Sequence, residues 1–154
     1  MGGDVVETVD LTFLFTDMEA STPAWDQDAT AMNAAQERHD VILNACIAAR
    51  HGRVFSTAGD GLAAAFATAV DAVHAAVDAQ RLLLDERWPT EAPVRVRMGV
   101  HTGSAIERDG NYFGPTVIRA ARLMALVGGG RIICSPTTLL RRSTTRWGGS
   151  TSLR

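Results

Sequence analysis

The chain has 154 residues, of which 46% are hydrophobic and 21% charged, and its formal net charge is −2. That length and balance are typical of one globular domain with its own core. There is no basic excess, and no apolar run approaches the ~20 residues that cross a bilayer, so we expect no contact with nucleic acid or membrane.

The cysteine content and the first residues of the chain indicate in which cellular compartment the protein is located. Cys46 and Cys134 both stand in apolar sequence, which favours buried reduced thiols over a metal site. The first residues include acids and lack the apolar core of a secretory signal. The sequence therefore predicts a cytoplasmic protein.

The first predicted elements are a strand and a long helix. Large apolar residues alternate through residues 9–16, which indicates a strand that ends at Asp17. Ser21 and Thr22 then offer hydroxyl groups suited to a helix start. Apolar residues at steps of three and four predict one helix over residues 23–49.

A hairpin and a second helix follow. Val54 begins a short strand, the Gly-Asp-Gly of residues 59–61 makes a tight turn, and residues 62–66 return. Apolar periodicity predicts a helix over residues 69–87, which a Trp-Pro pair ends.

The remaining elements alternate in the same way. Strict alternation predicts a strand over residues 94–100, and residues 107–110 form a turn. A helix is predicted over residues 115–126 and a short strand over residues 131–134, after which Pro136 opens a last helical turn.

The order of these elements predicts an α+β fold. It matches a ferredoxin-like βαββαβ core, an antiparallel sheet with helices on one face. We expect residues 1–8 to be an N-terminal tail, residues 9–142 the domain, and residues 143–154 a flexible tail and candidate truncation point.

Asp17 is the first candidate functional residue. It ends a buried strand and is followed by small polar residues at a helix start. Backbone N–H groups at such a start can hold phosphate, and a carboxylate there can hold Mg²⁺. The alternative, that Asp17 only caps the loop, stays open on this segment alone.

Asp60 is the second candidate, at the tip of the predicted hairpin. Taken alone, its Gly-Asp-Gly context is explained by the turn itself. The hairpin could pair with the strand that ends at Asp17. Two carboxylates on adjacent strand ends would then make a two-metal site.

Four ordered blocks carry a resemblance to a known family. They are residues 12–22, 52–61, 96–103 and 112–123. Together they resemble the catalytic domain of class III adenylyl and guanylyl cyclases, over about residues 9–140. Four blocks in order are far more specific than any single motif.

The resemblance implies a metal and phosphate site. Asp17 and Asp60 would bind two divalent ions, Mg²⁺ or Mn²⁺, with the backbone carbonyl of Met18 as a further ligand. Three residues would lie along the triphosphate, where family members often have Gly at the first position: Ala20, Ser21 and Thr22.

The resemblance also implies the reaction. The ribose 3′-hydroxyl of ATP, with GTP as the second choice, would attack the α-phosphate and release pyrophosphate. Arg122 matches the arginine that stabilises the transferring phosphoryl group. The alternative role of Arg122 is that of a surface arginine on an amphipathic helix, which is the role expected of Arg119.

Three positions depart from the family pattern. Ser56 stands where a lysine reads the base, Asn111 where its aspartate partner stands, and Ile118 where an asparagine orients the ribose. Each lost oriented hydrogen bond would cost about 2–4 kcal/mol of transition-state stabilisation. We therefore expect weak catalysis, relaxed base choice or no catalysis.

The family's active sites are shared between two copies, so the expected partner is a second copy in a head-to-tail homodimer. One alternative is an inactive cyclase-like pseudoenzyme that dimerises or senses nucleotide. A weaker one is an interaction domain with accidental motif matches. His101 is expected to be structural, and Arg95 and Arg97 to line the solvent face of their strand.

Overall fold

The computed structural model describes residues 6–144, with side chains through Arg141. The strands are β1 (Glu7–Met18), β2 (Arg53–Ala58), β3 (Gly61–Phe66), β4 (Val96–Arg108), β5 (Asn111–Phe113) and β6 (Ile132–Cys134). The helices are α1 (Ser21–Gln27), α2 (Ala29–Ala49), α3 (Ala69–Asp85), α4 (Pro115–Ala125) and α5 (Pro136–Thr144).

These strands form one mainly antiparallel sheet. Its order is β2-β3-β1-β4-β5, and β6 pairs in parallel with β4. The other strand pairs are antiparallel, and β1 pairs with β4 along its whole length. This arrangement confirms the predicted α+β fold with a ferredoxin-like, antiparallel core.

Alternate residues of β1 contribute to two cores on opposite faces of the sheet. Leu14 and Met18 pack in the larger core with residues of α2 and α3. Phe13 packs in a smaller core with Ala120 of α4. The expectation that the helices share one face is therefore wrong for α4, which lies on the opposite face.

Glycines on β4 let α4 lie directly on the sheet. A Cβ atom added at Gly99 would stand 2.5 Å from the backbone nitrogen of Met124 and 2.7 Å from the carbonyl oxygen of Ala120. One added at Gly103 would meet Thr116 Oγ1 at 2.8 Å. The close approach fixes the position of α4 relative to the ends of β1 and β4.

The long helix predicted over residues 23–49 is two helices. Asp28 separates them with an extended backbone, φ −154° and ψ 92°. Its carboxylate Oδ1 accepts a hydrogen bond from the backbone N–H of Ala31 at 3.0 Å, which caps α2. The uniform Ala-rich pattern hid this break.

The strand predicted over residues 94–100 is longer than expected. It runs on to Arg108, through part of the predicted turn at residues 107–110, and pairs with β5, which the pattern did not predict. Asp109 and Gly110 connect the two strands with φ of 52° and 75°. Asp-Gly with both φ values positive is a typical two-residue hairpin loop.

The predicted domain bounds of 9–142 stay a prediction. β1 begins at Glu7, inside the predicted tail, and α5 runs through Thr144. Residues 1–5 and 145–154, which hold the rest of both predicted tails, lie outside the described residues. Between residues 6 and 144, no helix is long and apolar enough to cross a membrane.

Candidate active site

Asp17 lies near the C-terminal end of β1, on the sheet face that carries α4. Its neighbour Met18 points into the larger core and is 5% exposed, so alternation sends the Asp17 side chain to the other face. The Asp17 side chain is 24% exposed. The carboxylate is thus half-buried, at the position that the sequence predicted for a metal ligand.

Arg97 holds both oxygens of this carboxylate. Its Nε donates to Asp17 Oδ1 and its Nη2 to Asp17 Oδ2, each at 2.7 Å. The two residues face each other across the β1–β4 ladder, which brings their side chains together. The expectation that Arg97 only lines a solvent face is wrong: its side chain is 28% exposed and paired.

Several carboxylates act on the Arg97 guanidinium. The hydrogen bond to Asp17 raises the pKa of Arg97 above its ordinary value, against the opposing effect of desolvation. The charges of Asp17, Glu19 and Asp60 raise that pKa further. Arg97 therefore stands in a region of negative potential formed by three acidic side chains.

Asp60 reaches the same region because the hairpin tip approaches β1 closely. A Cβ atom at Gly61 would stand 2.9 Å from the carbonyl oxygen of Thr16 and 3.6 Å from Asp17 Cβ, so glycine permits this approach. Asp17, Asp60 and Ser56 line one cavity of about 250 Å³, together with Met124 of α4. The two carboxylates singled out in the sequence therefore share a cavity.

A second, shallower cavity connects Asp60 to the start of α1. It has a volume of about 370 Å³ and is lined by Ser21, Trp25, Gln36, Gly59 and Asp60. Sequence reasoning missed Trp25 and Gln36 here. The available signal was that Trp25 lies four residues after Ser21, one helical turn along α1.

Ala20 takes a left-handed backbone between β1 and α1. Its φ is 55° and its ψ 35°, a conformation that glycine adopts at lower cost. It stands at the N-cap of α1 and makes no side-chain hydrogen bond to the helix. Ser21 and Thr22 form the first positions of α1, half-buried and exposed respectively.

The donor set suits a hard divalent ion. Within residues 6–144 there is no group of three or more His, Cys, Asp or Glu side chains placed to hold a metal. Asp17 and Asp60 supply carboxylate oxygens, and Mg²⁺ or Mn²⁺ often takes one or two carboxylates with phosphate oxygens and water. The residues fit such ions provided that phosphate completes the coordination.

The other predicted site residues do not line this cavity. Asn111 Oδ1 accepts a hydrogen bond from the N–H of Tyr112 at 2.8 Å. Ile118 is 52% exposed, and Arg122 is exposed one helical turn further along α4. In one copy of the chain, Arg122 therefore does not line the cavity that the two aspartates share.

Comparison with known proteins gives a consistent family match. The family model described as "Adenylate and Guanylate cyclase catalytic domain" matches residues 5–148. An uncharacterized protein of Mycobacterium tuberculosis is 38% identical over 83% of this chain and 43% of its own length. An adenylate cyclase of Neurospora crassa is 31% identical over 83% of this chain. This chain spans 43% and 7% of the lengths of those two relatives.

Solved structures share the fold. An adenylate/guanylate cyclase/hydrolase from Silicibacter pomeroyi is similar with a TM-score of 0.78 and 26% identity, over 88% of this chain and 81% of that one. The monomeric guanylyl cyclase domain of a fusion protein from Blastocladiella emersonii has a TM-score of 0.82 and 18% identity, over 90% of this chain and 88% of that one. A non-canonical dimeric form of that domain has a TM-score of 0.79 and 19% identity, over 92% and 88%.

Proposed function

Because the chain belongs to the class III adenylate and guanylate cyclase catalytic domain family, we propose that it converts ATP, and GTP as the second choice, into the cyclic nucleotide and pyrophosphate. The observation that carries this proposal is the shared cavity of Asp17 and Asp60. Among the residues that the structure describes, these are the only aspartates that line it, and they are the two that match the family's metal ligands.

The aspartates would hold two divalent ions, Mg²⁺ or Mn²⁺, with the backbone carbonyl of Met18 as a further ligand. When bound, such ions neutralise triphosphate charge and make the ribose 3′-hydroxyl more acidic. Asp17 and Asp60 would fix the position of the ions. Three residues at the start of α1 would lie along the phosphates: Ala20, Ser21 and Thr22. The 3′-hydroxyl would lose its proton to water, the 3′-oxygen would form a bond to the α-phosphorus, and the bond to pyrophosphate would break with its electron pair going to the departing oxygen.

Arg122 would come from a second copy of the chain. It is exposed on α4 and does not line the cavity of Asp17, so a head-to-tail homodimer would bring it to the phosphoryl group. The exposed apolar residues Phe113, Ile118 and Leu126 around α4 offer a surface for such a partner.

Catalysis is proposed to be weak. Ser56 lines the cavity but is too short to reach a base as lysine would, and Ile118 has no hydrogen-bonding group for the ribose. Asn111 can both donate and accept, so it discriminates bases poorly. These three side chains would leave the metal half of the site functional and the base and ribose half impaired.

A cyclase assay tests this function. The full chain at high concentration is incubated with Mn²⁺ or Mg²⁺ and either ATP or GTP, and cyclic AMP and cyclic GMP are measured. We expect product from ATP that falls more than ~100-fold in Asp17→Ala and Asp60→Ala. Asp10→Ala is the matched control, because Asp10 lies on β1 outside this cavity, paired with Arg141. If the folded chain forms no product from either nucleotide, the proposed cyclase activity is refuted.

A second candidate is a pseudoenzyme that dimerises or senses nucleotide. It is favoured by the three positions that depart from the family pattern, Ser56, Asn111 and Ile118. This candidate predicts nucleotide binding with no turnover. Calorimetric titration with ATP beside the cyclase assay separates the two functions.

A further inference from the structure

The cation nearest to the proposed metal ligand Asp17 belongs to the chain itself. Arg97 donates to both Asp17 oxygens at 2.7 Å, so no oxygen of that carboxylate lacks a partner. The guanidinium and the carboxylate form two parallel hydrogen bonds, which is the strongest common geometry between arginine and aspartate. It is also half-buried, at 28% and 24% exposure, where solvent screens it less than at an open surface.

We infer that Arg97 is a built-in cation that fills the Asp17 side of the metal site in the metal-free protein, so that a divalent ion has to displace it. This inference rests on the proposed function, because the metal concerned is the one used by the cyclase reaction. The inference is that Arg97, and not a divalent ion, is bound to the Asp17 carboxylate before the nucleotide binds.

The backbone makes this pairing a fixed feature. Asp17 and Arg97 are direct partners in the antiparallel register of β1 and β4, and both side chains lie on the α4 face. β1 pairs with β4 over twelve positions, so the register cannot slip without moving every side chain of β1 to the other face. The guanidinium is thus held beside Asp17 by the sheet.

The charges around Arg97 define the competition. Glu19 and Asp60 also attract its guanidinium, so this one cation offsets repulsion among three acidic side chains. A divalent ion bound by Asp17 and Asp60 would offset the same repulsion and would repel the guanidinium. The two cations therefore compete for one region of negative potential, and each weakens the binding of the other.

Metal binding without nucleotide tests the inference. Mn²⁺ is titrated into the full chain and followed by electron paramagnetic resonance, which counts unbound Mn²⁺. We expect Arg97→Gln to bind Mn²⁺ about tenfold more tightly than the parent chain. Arg81→Gln is the matched control for net charge, since Arg81 is exposed on α3 and does not line the cavity of Asp17 and Asp60; it should bind like the parent.

A second variant separates pairing from charge and guards against misfolding. Arg97→Lys keeps the charge but cannot donate two parallel hydrogen bonds, so its Mn²⁺ affinity should rise about threefold. Melting temperatures give an independent readout: Arg97→Gln should melt lower than the parent in EDTA and gain more from Mn²⁺.

Two results would overturn the inference in different ways. Equal Mn²⁺ affinity in the parent, Arg97→Gln and Arg97→Lys would refute displacement while leaving the metal site of the proposed function intact. No Mn²⁺ binding by the parent or by either variant would refute the displacement, because no ion would then compete with Arg97 for Asp17, whereas the metal site completed by phosphate is tested by the cyclase assay.

Discussion

Ala20 is strained at the junction between β1 and α1. Its left-handed φ of 55° is one that glycine adopts without cost. Ala20→Gly should therefore raise the free energy of unfolding by up to about 1 kcal/mol, measured by urea denaturation, after allowance for the extra freedom of glycine in the unfolded chain.

Ala24→Gly is the control for this prediction. Ala24 lies inside α1, where glycine should lower the free energy of unfolding by about 1 kcal/mol. If Ala20→Gly destabilised the chain as much as Ala24→Gly does, the account of the strained junction would be wrong.

Ile118 limits the proposed ribose contact. It is 52% exposed on α4, so a polar replacement fits without disturbing the core. Ile118→Asn should raise the rate of cyclic AMP formation about tenfold, because it restores an oriented hydrogen bond, with an unchanged metal requirement. Val41→Asn, at an exposed position of α2, should leave the rate unchanged; an equal gain there would show a general effect of polarity.

At the scale of elements, α5 is attached to the sheet through buried hydroxyl groups. Thr138 of α5 bonds to Thr102 of β4 at 3.0 Å, and Thr102 bonds to Thr12 of β1 at 2.8 Å. Ser135, at the start of α5, bonds to His101 Nδ1 at 2.6 Å. These residues are each at most 6% exposed, so protonation of His101 would place a charge in a buried polar network.

The network predicts a pH dependence of stability. Burial, and then the charge of Arg119, lowers the pKa of His101 below its ordinary value of 6.5. The unfolded chain then binds more protons than the folded chain as the pH falls through 6.5, so stability is full above that pH and is lost below it. Melting temperatures between pH 7.5 and 5.5 should fall more in the parent than in His101→Gln; parallel curves would contradict this.

The contact of α4 with β4 requires glycine. Any side chain at Gly99 meets the backbone of Met124 and Ala120 at under 3 Å, so α4 would have to shift. Gly99→Ala should cost about 1–3 kcal/mol of stability and most of the cyclase activity, because α4 carries Arg122. The control is Gly128→Ala, where an added Cβ atom meets nothing within 4 Å. Similar losses in both variants would argue against this contact.

The sequence predicted elements where local pattern was sufficient. Alternation in β1 and β4 and the Gly-Asp-Gly turn indicated the strands that bring Asp17 and Asp60 together. The break between α1 and α2 at Asp28 was not predicted, because alanine on both sides suits a continuous helix. β5 escaped because it has three residues, too few for a periodic signal.

The ion pair between Asp17 and Arg97 could not be predicted from local sequence pattern. The two residues are 80 positions apart, and their contact depends on the register of β1 against β4. Alternation placed Arg97 on one face of its strand, but it could not say what stood opposite. The position of α4 on the second face likewise depends on Gly99, whose role is visible only in the packed structure.

At the scale of the whole molecule, the proposed function requires a second copy of the chain. The cavity of Asp17 and Asp60 lies on the α4 face of the sheet, while Arg122 is exposed on α4 and does not line that cavity. A second copy in head-to-tail orientation would supply each site with the arginine of its partner. The smaller core and exposed apolar residues near α4 make this face the proposed contact surface.

The most direct test of this shared cyclase site is complementation between two inactive variants. Asp17→Ala and Arg122→Ala chains are assayed for cyclic AMP separately and as an equal mixture, beside the parent chain. Each variant alone should be inactive, and the mixture should recover about a quarter of the parent rate, because half of the dimers are mixed and each of these has one intact site. A mixture that stays inactive while the parent chain makes cyclic AMP would contradict the shared site.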